Sequence, residues 1–233
     1  MKLRLAILAA CVLLLSSTSA FAMMYGSPVS SMSGGHPSIG LGYNTQSFDI
    51  EGYPMQMNQN IAYMQLALGL GGGWEFYARG GGSDMKLERI GASKDELRDT
   101  MKPYVGGGLN ARIYDGRVLD ISLFGQGNFY TSADFEDEDT ATATTYTLTD
   151  FWDASGGVAF QVEIDKAFLY AGPYFYTWQA TLEAGGAEVD LKPKNQIGTM
   201  VGIRWPLVSG WELDIEGQLA DKYVFGAALN YPF

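Results

Sequence analysis

The chain has 233 residues, 47% of them hydrophobic and 13% aromatic, with 30 glycines, 8 prolines and a formal net charge of -11. Mean hydropathy is only -0.03, so apolar residues are interleaved with polar ones. Abundant glycine with little proline fits a β protein with tight turns and excludes a helical bundle or a disordered tail. Without a basic patch, nucleic acid is excluded as a partner.

Residues 1–22 read as a signal peptide: a basic MKLR start, the apolar run LAILAACVLLL, and the small-residue ending Ala20-Phe21-Ala22, which places the mature start at Met23. Losing Lys2 and Arg4 takes the charge from -11 to -13 and also removes Cys11, the lone cysteine. The mature chain then has neither a disulfide nor a thiolate metal site. A rival reading makes Leu8-Ala9-Ala10-Cys11 a lipoprotein box with Cys11 lipidated. It leaves about six apolar residues before the cut, short against the usual 7–15, and exposes Val12 to Leu15. Charges or glycines interrupt every later apolar run, so no transmembrane helix is expected. Residues 23–36, MMYGSPVSSMSGGH, read as a flexible periplasmic lead-in.

From residue 37 onward the period is two. Strand-like stretches recur at 37–51, 59–71, 74–83, 103–115, 118–131, 150–164, 167–183, 194–206, 210–219 and 222–233. Ten is an even number, and the lengths reach the 9–11 residues that cross a tilted bilayer. Eight strands remain within the boundary error of such a reading. Short links (Gly71 to Gly73, Tyr114 to Arg117, Asp165-Lys166, Leu207 to Gly210) alternate with longer ones near 52–58, 84–102, 132–149 and 184–193, apart from the tight Ala220-Asp221. Asp115-Gly116 is a hairpin signal. Trp74, Phe168, Trp205, Trp211 and Phe233 fall near the short-turn ends, and Tyr43, Phe129, Trp152 and Trp178 near the long-loop ends, predicting two aromatic girdles.

The last strand, KYVFGAALNYPF, puts Tyr223, Phe225, Ala227, Leu229, Tyr231 and Phe233 on one face. The strand before it puts Glu212, Asp214 and Glu216 on one face and Trp211, Leu213 and Ile215 on the other. The C-terminal pattern, with Phe225, Leu229, Tyr231 and Phe233 as the assembly signal, resembles the terminal signature of bacterial outer-membrane proteins. That resemblance implies an all-β, antiparallel, up-and-down transmembrane barrel over 37–233 in the outer membrane of a Gram-negative-type bacterium. It further implies recognition by the barrel-assembly machinery and contact with outer-membrane lipids, and a monomer is expected. A soluble periplasmic barrel is the alternative fold. In its ten strands the chain also resembles the omptin proteases, which use an Asp-His pair and two further aspartates. Its one histidine, His36, lies in the Gly/Ser lead-in, where nothing fixes a partner near a reacting atom.

The inward polar set is expected to be Glu75, Arg79, Arg112, Asp120, Asp153, Glu163, Arg204, Glu212, Asp214 and Glu216. It reads either as a charge-paired filling or as an acidic, cation-preferring pore lining. In the loop at 134–150, Asp134, Glu136, Asp137, Glu138 and Asp139 place five carboxylates in six positions. These read as a solvated charge run or as a weak oxygen-ligand cation site, without EF-hand spacing. Ser93 and Glu96 fit the capping box of a short helix. Gly71 to Gly73, Gly80 to Gly82 and Gly106 to Gly108 lack the context of a phosphate loop. No cofactor or metal centre is expected. The function expected is a non-enzymatic barrel with a structural or surface-interaction role. A narrow channel for small solutes or cations is the alternative, and an outer-membrane enzyme comes third. Purified protein should migrate faster on a denaturing gel unheated than boiled; identical mobility would favour the soluble barrel.

Overall fold

A computed structural model describes residues 35–89, 96–137, 144–184, 186–220 and 222–233. The expected signal peptide and the lead-in up to residue 34 lie outside the described residues. The strands are β1 (Pro37–Asp49), β2 (Met55–Gly71), β3 (Trp74–Arg89), β4 (Glu96–Arg98), β5 (Lys102–Asp115), β6 (Asp120–Tyr130) and β7 (Ala133–Asp137). They continue with β8 (Thr144–Ile164), β9 (Ala167–Ala184), β10 (Ala187–Leu191), β11 (Ile197–Pro206), β12 (Glu212–Leu219) and β13 (Lys222–Pro232).

Ten of these make a closed antiparallel barrel in up-and-down order: β1, β2, β3, β5, β6, β8, β9, β11, β12 and β13. β13 pairs back on β1 from Ser38–Pro232 to Phe48–Lys222. Closure removes the sheet edge, which is what lets strands sit in hydrocarbon with every backbone group paired.

Register aligns the faces from strand to strand. Leu213, Leu229, Leu41, Met64, Gly80, Val105, Phe129 and Trp152 follow one another as direct cross-strand partners. Leu41, Met64, Val105 and Phe129 in this row are exposed, as are Leu66, Leu68, Phe76, Leu123 and Val201. Their neighbours of opposite parity, including Asp214, Glu216, Arg79 and Asp153, are buried. The apolar side chains therefore face outward and the charges face the axis, the partition an outer-membrane barrel needs.

The short links are tight hairpins. Asp165 and Lys166 both have positive φ, the two-residue turn whose twist matches the flanking strands. The Asp115-Gly116 link is a hairpin of another kind. Gly116 does not take positive φ, residues 116–119 span the turn, and the Gly116 N–H donates to Asp120 Oδ1 at 3.2 Å.

On the long-loop side the strands run further than the sequence pattern predicts. β2 starts at Met55 rather than 59, β3 runs to Arg89 rather than 83, and β8 starts at Thr144 rather than 150. The loops supply their own partners: β4 pairs β3, β7 pairs β8, and β10 pairs β9. Glu96, expected to close a capping box, begins β4; Ser93 lies outside the described residues. In this extension the faces exchange character. Met57, Met85, Leu87, Phe135 and Leu148 are buried inside, while Asn58, Asn60, Asp84, Lys86 and Glu88 are the alternating residues. The barrel thus rises out of the lipid and acquires an ordinary apolar core.

Inside the barrel, tyrosines lie over glycines. Tyr63 faces Gly42, Tyr77 faces Gly108, Tyr170 faces Gly202 and Tyr174 faces Gly198, each pair directly opposite in register. A Cβ added at any of these glycines would overlap the facing ring. Large rings thus fill a narrow interior because the opposite wall is bare backbone. Gly202→Val should cost about 1–3 kcal/mol by overpacking, measured as urea unfolding of the folded band. Gly217, where an added Cβ meets nothing nearer than 3.7 Å, should tolerate alanine.

Candidate functional site

The lumen is stacked in two layers. The lower layer is polar. Near the short-turn end, Arg204 Nε lies 3.4 Å from Asp214 Oδ1 and 3.7 Å from Glu212 Oε2. Asn230 Nδ2 donates to Asp214 Oδ2 at 2.7 Å. Tyr170 OH and Gln218 Nε2 donate to the two oxygens of Glu216 at 2.9 and 2.7 Å. Asn110 Nδ2 donates to Glu75 Oε1 at 3.3 Å. Further in, Arg79 lies between the rings of Tyr63 and Tyr77, 4.8 and 4.6 Å from their centroids. It donates to Gln65 at 2.7 Å and, together with Tyr77 OH, to Gln126 Oε1. Asp153 accepts from Asn128 Nδ2 at 2.9 Å and from Tyr130 OH at 2.7 Å. Charges in a confined interior persist only when paired and hydrogen-bonded, and these partners do that work.

The upper layer is aromatic. Tyr104 stacks on Tyr130 at 5.5 Å and Tyr130 on Phe151 at 4.4 Å. Phe151 meets Trp178 edge-on at 6.1 Å, and Trp178 tilts against Phe48 at 5.7 Å. A β-bulge makes this possible. The register of β8 against β9 shifts between Thr149 and Trp152, where Asp150 has φ 50. The extra residue lets both Leu148 and Phe151 face inward, although their spacing is odd, and leaves Trp152 outward beside Phe129. Gln46 Nε2 donates to Gln59 Oε1, and Gln59 Nε2 to Ser83 Oγ at 2.6 Å.

Of the ten residues expected in the lumen, six are buried there: Glu75, Arg79, Asp153, Arg204, Asp214 and Glu216. Glu212 is half-buried at the mouth beside Arg204. The other three belong to the short-turn rim. Arg112 pairs at 3.4 Å with the exposed Asp115, Asp120 caps the Gly116 turn, and Glu163 is exposed at the end of β8. Their parity is inward, but at a strand end inward means toward the open mouth, where water replaces a partner.

Two aromatic assignments also change. Trp178, expected in the outer girdle, is a buried member of the ring stack. Phe168 is opposite Arg204 and so faces the lumen mouth. Trp74, Trp205, Trp211 and Phe233 are exposed at the short-turn end, and Tyr43 and Phe129 are exposed toward the other. Phe225, Leu229, Tyr231 and Phe233 share the outward face of β13, with Tyr231 against Trp211 at 5.1 Å.

The neutral lumen residues (Tyr63, Tyr77, Tyr170, Gln65, Gln126, Asn110) were not singled out from the sequence; their signal was the same inward period-two position that located the charges. In the acidic loop, Asp134 is exposed. Glu136 and Asp137 belong to β7, and Glu138 and Asp139 lie outside the described residues. Among the described residues no group of three or more His, Cys, Asp or Glu is placed to hold a metal ion. His36 is exposed, and its carbonyl accepts the Gly69 N–H at 3.1 Å.

No protein-family model and no curated relative matches the chain. Solved structures do. The translocator domain of the autotransporter NalP from Neisseria meningitidis superposes with a TM-score of 0.56 at 9% identity, over 88% of this chain and 91% of that domain. The outer membrane protease OmpT from Escherichia coli gives 0.45 at 13% identity, over 93% and 99%. The fold is that of the bacterial outer-membrane β-barrels, and it suits the chain to that membrane.

Arg204→Met removes the cation between Asp214 and Glu212. It should cost about 3–5 kcal/mol because two carboxylates lose their partner. Asp214→Asn, which keeps an oxygen toward Arg204, should cost less in the same unfolding titration.

Proposed function

We propose that this chain is a closed, non-conducting outer-membrane barrel without enzymatic activity, serving a structural or interactive role at the cell surface. The observation that carries this reading is the burial of inward side chains along the whole axis. Glu216 and Gln218 in the polar layer are 0% and 1% exposed; Tyr77 is 1%, and Trp178 and Leu148 in the aromatic layer are 1% each. A water-filled pore leaves its lining accessible, as in the larger barrels that conduct. The apolar outer band supports placement in lipid, with the barrel-assembly machinery as the partner during insertion and a monomer as the mature form.

The channel reading draws on the polar layer, which continues from Arg204 to Asp153, but the aromatic layer stands across its outer end. The enzyme reading lacks a fixed histidine: His36 is exposed ahead of β1. A surface role draws on the extension above the lipid, whose outward residues are polar and whose β7 and β10 carry Asp134, Glu188 and Asp190.

Purified protein in planar bilayers should give no conductance steps. Persistent steps in the wild type that shrink in Glu216→Ala would overturn this reading in favour of the channel. Hydrolysis of peptides or lipid A that is lost in His36→Ala would overturn it in favour of an enzyme.

A further inference from the structure

The extension above the lipid leaves β10 as an edge strand. Among the described residues it pairs with β9 alone, from Ala187–Ala184 to Leu191–Ala180. No backbone hydrogen bond among them joins residues 187–190 to any other element. β1 comes alongside only further along the segment, where Pro193 bridges Ile50. It turns back there, the Ile50 N–H donating to the Met55 carbonyl at 3.2 Å. Ala187, Glu188 and Asp190 are exposed. β10 therefore offers backbone donors and acceptors along one side, a template for a further strand.

The side chains restrict which strand fits. Glu188, Glu183, Thr147 and Asp134 follow one another as direct cross-strand partners over β10, β9, β8 and β7. Glu188, Glu183 and Asp134 are exposed. Glu183 and Glu188 set like charges directly opposite, which is destabilising. Asp190 adds a further carboxylate on the same face of β10. Among the described residues, these carboxylates receive hydroxyls rather than cations: Thr149 Oγ1 donates to Glu183 at 3.4 Å and Thr181 Oγ1 to Asp190 at 3.3 Å. Lys192, the next basic residue along the segment, is held by Glu51 at 3.1 Å. On the other face of β10, Val189 is half-buried and packs against the apolar cluster that contains Leu191. A second copy of β10 would bring acid against acid, so self-pairing is disfavoured. An extended chain of alternating basic and apolar residues meets both faces, with cations beside Glu188 and Asp190 and an apolar residue beside Val189.

We propose that β10 is the docking edge for an extracellular protein partner, which adds an extended segment of alternating basic and apolar residues as one more strand. The proposal rests on the surface-interaction reading above and supplies its class of partner. Main-chain hydrogen bonds provide the affinity, and the carboxylates select the sequence.

The test uses the full folded protein in detergent and labelled five-residue peptides, acetylated and amidated, followed by fluorescence anisotropy at low salt. Lys-Val-Lys-Val-Lys should bind saturably, and Glu-Val-Glu-Val-Glu about tenfold more weakly. Methylating every backbone nitrogen of the basic peptide keeps its charge and removes its strand donors, and should weaken binding about tenfold. Glu188→Lys/Asp190→Lys, at two exposed positions, should reverse the preference, with about a tenfold loss for the basic peptide and a similar gain for the acidic one. The proposal is overturned if the basic peptide does not saturate, or if the folded double variant keeps the wild-type preference. It is equally overturned if the methylated and parent peptides bind alike, which would leave charge attraction alone. Conductance steps in planar bilayers would remove the closed-barrel reading without touching peptide binding, so the two fail separately.

Discussion

Closure of β13 onto β1 is the constraint from which the rest of the molecule follows. A sheet in oil cannot leave an edge, so the strands must return to their start, and ten of them return around a narrow axis. Once closed, the outer face has no choice but to be apolar, and the inner face must hold whatever polar groups the sequence supplies. Glycines at Gly42, Gly108, Gly198 and Gly202 open space for tyrosine rings, and the rings and amides then pair the carboxylates and guanidinium groups between them.

The barrel changes its solvent along its own length. In the lipid-facing part, Leu41 and Met64 point out while Asp214 and Arg79 point in. Above it, Asn58 and Lys86 alternate with the buried Met57, Met85 and Leu87. On β2 and β3 the exchange needs no backbone change, because the residue types swap faces within one strand. On β8 it coincides with the bulge at Asp150, which sends Phe151 inward and frees Trp152 to face outward. Positive φ at a non-glycine residue is a cost that the ring stack offsets.

Two environments in one lumen give the interior distinct tasks. The polar layer ties the strands together through Arg204, Asp214, Glu216 and Tyr170, and is demanding because losing one partner strands another. The aromatic layer closes the outer end, and the chain after β10 crosses to the β1–β2 turn, where Pro193 bridges Ile50. The NalP translocator domain shares the fold at 9% identity, so the barrel architecture is compatible with very different sequences.

Period-two alternation, short and long links and the C-terminal aromatic face by themselves predicted about ten antiparallel strands, with eight still open, and an apolar face turned to lipid, because each follows from local chain geometry. They also placed Glu75, Arg79, Asp153, Arg204, Asp214 and Glu216 inside. They could not separate these from Arg112, Asp120 and Glu163, since parity says which way a side chain points but not whether the strand still has neighbours at that height. Only the tertiary structure decided that, together with the inward turn of Trp178 and the hairpin partners β4, β7 and β10. It also decided the crossing of the chain after β10 to the β1–β2 turn at Pro193. These depend on where strands of unequal length end beside one another, which is a property of the closed sheet and not of any one segment.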